Sequence, residues 1–169
     1  MKLIKPSFEI WEQKPALEGV YKQIERAGRV CYKSEDKITK NSAKEFVDRM
    51  IASGHHAMLE HGTVYLEIPY GEMLDNGDFE NESLLQRYID NPYSSVTNNE
   101  VDDNWYITTN YRVLIENKWL DLLKYQCNPT EYHKKRIAVK FICDRGVSHE
   151  FVRHRVFSFA QESSRQWRH

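Results

Sequence analysis

NWYITTNYRVLIENKWLDLL, residues 104–123, passes from a strand pattern into a helical one without a break. The aromatic and β-branched residues at 105–108 favour an extended backbone. Beyond them Val113, Leu114, Leu120 and Leu123 supply the apolar contacts of a helix. Asn110 stands between the two patterns as a reasonable N-cap, because its side-chain oxygen can accept from a backbone N–H left unpaired in the first helical turn.

The neighbouring segments read in the same mixed way. TVYLEIP, 63–69, is a strand ending at Pro69, and RIAVKFICD, 136–144, is the clearest strand, with Ile137, Val139, Phe141 and Cys143 alternating against Lys140 and Asp144. Residues 2–12 alternate loosely, as an edge strand does. Pro15 then suits the first turn of a helix through about Tyr32, with Leu17, Val20, Tyr21, Ile24 and Ala27 as its apolar stripe. A second helix is signalled by Asn41 or Ser42 as cap, Phe46, Val47, Met50 and Ile51 on one face, and Gly54 as stop. That helix delivers HHAMLEH to a loop. From Gly71 to Asn104 there are nine acidic residues and one arginine, which reads as a solvated surface insertion with one short helix around 83–89. Helices and strands in irregular order predict an α+β fold, a mixed or antiparallel sheet packed with helices, in a single domain over 1–169.

Composition narrows the function classes. With 24 basic and 25 acidic residues the net charge is -1, so no global field marks a nucleic-acid or membrane binder. Cys31, Cys127 and Cys143 are odd in number and without a CxxC pair, which argues against a disulfide framework and a structural zinc site. No run of sequence approaches a membrane span or a signal peptide, so a cytoplasmic location is expected.

Chemistry is concentrated in RHRVFSFAQESSR, 153–165. A helix over 147–155 would turn Val147 and Phe151 to the core and leave Glu150, Arg153 and His154 more exposed. Beyond it, Gln161, Ser163 and Arg165 share one side of an extended backbone. An amide, a hydroxyl and a guanidinium there suit a ligand carrying a phosphate, a sugar and a base edge. The bland alternative is a basic helix end followed by an ordinary polar strand face.

Arg153-His154-Arg155, seven residues, then Ser163 with Arg165 following, resembles the signature of the flavin-dependent thymidylate synthases. GHHAMLEH, 54–61, looks like the family's Gly-His segment ending in Glu-His, and ERAGRVCYKS, 25–34, resembles its N-terminal Ala-Arg turn with Gly28 in place of the alanine. The resemblance implies FAD-dependent conversion of dUMP to dTMP, with methylenetetrahydrofolate as carbon donor and NAD(P)H as reductant. It implies that Cys31, His55, Glu60, Arg153, His154 and Arg155 surround FAD, and that Glu150, Gln161, Ser163 and Arg165 hold dUMP, with Arg153, Ser163 and Arg165 closest to the chemistry. It also implies a homotetramer with shared active sites, no nucleic-acid partner and no metal.

Three departures stand beside these matches. Gln161 replaces a more usual glutamate, Ala57 replaces a small hydroxyl residue, and the chain ends four residues after Arg165, where the family continues with a further helical portion. WYITTNYRVLIEN, 105–117, resembles that later Asn-x-Arg helix and makes Asn110 and Arg112 additional flavin candidates; a cap with a surface arginine is the plain alternative. Two other function classes compete. A metal hydrolase would use His55, His56, Glu60 and His61, although their spacing is not that of a helical zinc motif. A noncatalytic nucleotide or RNA binder would use the C-terminal arginines with Phe157, Phe159 and Trp167.

Overall fold

The computed structural model describes residues 5–71, 74, 77, 80–99, 101–154 and 156–162. It has an α+β fold in which small antiparallel sheets pack against helices. Five strands and five α-helices are present among these residues: β1 (Ser7–Trp11), α1 (Ala16–Cys31), α2 (Ser42–Ala52), β2 (Thr63–Pro69), α3 (Glu82–Ile89), β3 (Ser95–Asn99), β4 (Asn104–Asn110), α4 (Tyr111–Asn117), β5 (Ala138–Ile142) and α5 (Arg145–Phe151). Short 3₁₀ turns occur at Glu35–Lys37, His56–His61 and Leu120–Tyr125.

The stretch that opens the sequence reading is the middle of the molecule. β4 lies between β2 and β3 in a three-stranded sheet, with Leu66 opposite Ile107 and Val96 opposite Ile107 from the other side. Val64, Leu66, Ile68 and Ile107 are fully buried and meet Val20 and Ile24 of α1, Phe46 and Val47 of α2, and Leu114 of α4. Asn110 caps α4 as expected, its side chain accepting from the Val113 N–H at 3.1 Å. The helix is shorter than its apolar pattern predicts. Lys118 adopts left-handed backbone angles, and the Trp119 N–H reaches back to the Leu114 carbonyl at 2.8 Å, a closing geometry that ends the helix before Leu120.

The acidic stretch contributes more than an exposed insertion. Its helix forms at Glu82–Ile89, and the acidic side chains Glu80, Glu82, Asp90, Asp102 and Asp103 are exposed. Leu85 and Tyr88, however, belong to the core, and SVTNN forms β3, which the polar composition of 95–99 did not predict. Pairing with β4 supplies its backbone hydrogen bonds.

β1 and β5 form a separate two-stranded ribbon, joined to the larger sheet through Gln13. Its amide exchanges two hydrogen bonds with the Thr63 backbone, at 2.8 and 2.9 Å, in the manner of one more strand residue. On the inner side Arg26 of α1 lies 3.8 Å over the Trp11 ring and pairs with Glu9 at 2.9 Å. The helix that follows differs from its expected span and facing: α5 starts at Arg145 with Asp144 as its cap, and Val147 and Phe151 remain exposed. Phe151 touches Phe141 instead of the central core, since the ribbon stands between α5 and the main sheet's helices only as a thin, two-stranded layer.

Candidate functional site

Three separate parts of the chain line a cleft of about 410 Å³: the end of α1 at Tyr32, the Gly54–Met58 segment, and the exposed side of α4 with Arg112 and Glu116. That volume is at the lower end of the range for small-molecule sites, roughly 300–1,000 Å³. The Tyr32 hydroxyl and His55 Nδ1 share a hydrogen bond of 2.8 Å, and the two rings lie nearly parallel. Burial raises the Tyr32 phenol, so it stays protonated at neutral pH.

Arg112 organises the opposite wall. Its Nε donates to Glu116 at 2.8 Å, one helical turn on, and its NH1 donates to Glu60 at 2.5 Å. His56 Nδ1 meets the same Glu116 carboxylate at 3.1 Å. Partial burial pushes Glu116 up, but the hydrogen bonds from Arg112 and His56 outweigh it and hold the carboxyl below its ordinary range. One guanidinium between two carboxylates leaves this wall negative when His56 is neutral and balanced when His56 is protonated. The i, i+4 spacing of Arg112 and Glu116 was a readable signal for half of this arrangement. Nothing in sequence spacing joined them to Glu60 or His56.

Of the residues singled out in the sequence, His55, His56, Ala57 and Arg112 line the cleft, Glu60 borders it through Arg112, and Cys31 immediately precedes Tyr32. Burial raises the Cys31 thiol, which argues against a resting thiolate. Asn110 is occupied as the cap of α4 and is buried. Ala160 packs on the core, the Phe159 backbone lies beside His61, and Glu162 pairs with Lys33 at 2.5 Å. Gln161 donates to the Ser148 hydroxyl at 2.8 Å. Arg153 and His154 follow α5 on an exposed surface outside the cleft lining, and Arg153 is paired with Glu150 at 3.0 Å. Arg155, Ser163 and Arg165 lie outside the described residues.

The four residues of the hydrolase alternative do not converge. His55 engages Tyr32, His56 engages Glu116 and Glu60 engages Arg112, while His61 is turned inward with its Nε2 unpartnered among the described residues. Among the described residues no group of three or more metal-binding side chains is assembled.

A cysteine–histidine pair elsewhere invites a nucleophilic reading and fails on its hydrogen bonds. Cys127 Sγ lies 3.7 Å from His133 Nε2. His133 Nδ1 accepts from the Thr130 N–H at 3.1 Å, so the ring proton sits on Nε2, which donates to the Leu66 carbonyl at 3.1 Å. A nitrogen already carrying a proton cannot take one from the thiol. Burial also pushes the Cys127 thiol up to about 11. His133 is therefore a structural clamp between the 126–137 segment and β2.

This clamp sets an acid limit on stability. Burial lowers the pKa of His133, and also of His61, below the ordinary 6.5. The unfolded chain then binds protons that the folded chain refuses, so stability is complete above about pH 6.5 and declines as the pH falls below it. Urea midpoints taken between neutral pH and the onset of carboxylate titration are expected to show this decline, and His133→Gln is expected to flatten it. An unchanged slope in the variant rules out His133 as a source.

Among the described residues no helix is long and apolar enough to cross a membrane. Compared with protein-family models, with curated proteins and with solved structures, the chain matches none.

Proposed function

We propose that the chain is a FAD-dependent enzyme that methylates dUMP to dTMP, with methylenetetrahydrofolate as carbon donor and NAD(P)H as reductant, working as a homotetramer with shared active sites. One observation carries the reading. The three sequence islands that resemble the flavin-dependent thymidylate synthases, distant from one another along the chain, meet around one region: Tyr32 and Lys33, His55 to His61, and Phe159 to Glu162.

The cleft has room for a fused ring system and offers aromatic and imidazole surfaces at Tyr32 and His55. Its carboxylates accept from ring N–H groups and disfavour phosphates, so the phosphate groups of FAD belong on the side of Arg153 and His154. Bound flavin supplies the hydride chemistry. The protein's own residues orient and polarise: Tyr32 and His55 hold a ring edge, Arg112 holds Glu60 in place and keeps Glu116 ionised, and Gln161, Ser163 and Arg165 hold dUMP.

The exposure of Phe157, at 64 %, favours a second reading as a noncatalytic RNA binder, because an outward aromatic in an arginine-rich stretch of sequence offers a stacking surface. One experiment separates the two. The purified chain is incubated with FAD, freed of excess, and its visible spectrum recorded before and after dUMP. Retained flavin whose spectrum responds to dUMP is expected. Arg153→Ala is expected to lower flavin occupancy roughly tenfold or more, and Arg165→Ala to weaken chiefly the dUMP response, each by the loss of about 1.5–3 kcal/mol of charge-assisted bonding. A folded chain that retains no flavin but binds single-stranded RNA in a salt-dependent way establishes the second reading instead.

A further inference from the structure

The β1–β5 ribbon is amphipathic in the wrong sense for a monomer. Its inward side carries Glu9, Trp11 and Lys140, held against α1 by the Glu9–Arg26 ion pair and the stacking of Arg26 on Trp11. Its outward side carries two cross-strand apolar pairs, Phe8 opposite Phe141 and Ile10 opposite Val139. Phe8 is 68 %, Ile10 58 % and Phe141 52 % exposed. Phe151 extends the patch, its ring 5.1 Å from that of Phe141. A two-stranded ribbon is marginal in water by itself, and the apolar pattern is strongest on the side that stays largely exposed, with the Phe151 ring against Phe141 at one end.

We propose that the outward face of the ribbon docks the same face of a second copy of this chain; the inference rests on no part of the functional reading above. Three features favour this occupant. Phe8, Ile10, Val139, Phe141 and Phe151 together expose on the order of 500 Å² of apolar surface, and two such faces bury about 1,000 Å², the threshold for a specific interface. The outward pairs carry no charge, so a copy meets no like-charge repulsion. The face is also graded, with two phenylalanines at one end and Ile10 with Val139 at the other. A two-fold arrangement with the ribbons running antiparallel sets the large end of one copy on the small end of the other, the interdigitation that a self-complementary contact requires.

Sedimentation velocity across micromolar concentrations tests this, with circular dichroism as the check on folding. The chain is expected to self-associate through this face, and Phe141→Glu to weaken that association roughly thirtyfold or more, as for other central apolar anchors. Because Phe141 also touches Phe151, Ile10→Lys probes the same face without disturbing that ring pair, and Val101→Glu, at an exposed position outside the ribbon, serves as control. The proposal holds if both ribbon variants remain folded and dissociate while the control does not. It is overturned if the unaltered chain is monomeric throughout, or if folded Ile10→Lys associates as strongly and to the same size as the unaltered chain.

Discussion

Glu25→Ala is expected to cost about 3–5 kcal/mol, a large fraction of the stability of a domain this size. Glu25 is 1 % exposed. One of its oxygens accepts from Arg29 Nε and NH2 at 3.1 and 2.9 Å, and the other accepts from the Ser42 hydroxyl at 3.0 Å, which ties α1 to the start of α2. The Arg29 guanidinium is buried too and lies 4.9 Å from the Phe46 ring centre. Truncating Glu25 leaves that cation without a counter-charge and without access to water. The urea midpoint reports the loss. The combined change Glu25→Leu with Arg29→Met is expected to recover most of it, because removing both charges also removes the desolvation cost. If the double variant is no more stable than Glu25→Ala, the cost arises from the Ser42 bond or from packing, and the buried pair is not its source.

Gly62→Ala is the second large effect, and it reaches the cleft. A Cβ at Gly62 would lie 2.6 to 2.8 Å from Val20 Cγ1 and from Ile24 Cδ1 and Cγ1, all fully buried. Neither side chain has free space to retreat into, so overpacking of about 1–3 kcal/mol is expected. The backbone cannot simply shift either: the Gly62 carbonyl accepts from the Tyr111 N–H at 2.9 Å, at the start of α4. Any displacement moves the His56–His61 turn relative to Arg112 and loosens the Arg112–Glu60 pair. Thermal unfolding is therefore expected to move down together with flavin retention. Gly54→Ala, where the left-handed backbone is strained but the surrounding space is open, is expected to lose stability through backbone strain alone. Unchanged flavin retention in a destabilised Gly62→Ala would uncouple core packing from the cleft.

The close packing at Gly28 explains one departure from the resembled family. An alanine Cβ there would meet the Phe46 ring at 2.5 Å, and that ring is already flanked by Arg29 and Arg49. The glycine accommodates a phenylalanine on α2, a contact that no local pattern in ERAGRVCYKS announces.

The elements with strong local signals were legible. Thr63–Pro69 read as a strand from its branched and aromatic residues, Asn110 as a cap from its position before a helical pattern, and Ser42–Ala52 as an amphipathic helix. The end of α4 was not legible, because a lysine in left-handed backbone terminates it where glycine would have been the readable stop. β3 was missed because its residues are polar and its pairing partner supplies the order. In the candidate site, His55, His56, Glu60 and Arg112 were marked by sequence, whereas Tyr32 and Glu116 were brought to it by packing.

By itself the sequence determined the α+β class, the strand and helix patterns, and the motif positions, since hydrophobic period and capping chemistry act over a few residues. Only the tertiary structure decided that β1 pairs with β5, that the apolar side of that ribbon faces outward, and that Arg112 closes on Glu60 fifty-two residues earlier. The physical reason is the same in each case. Alternation defines two faces of a strand and a charge defines what it attracts, but which face is covered and which opposite charge is near depend on long-range packing.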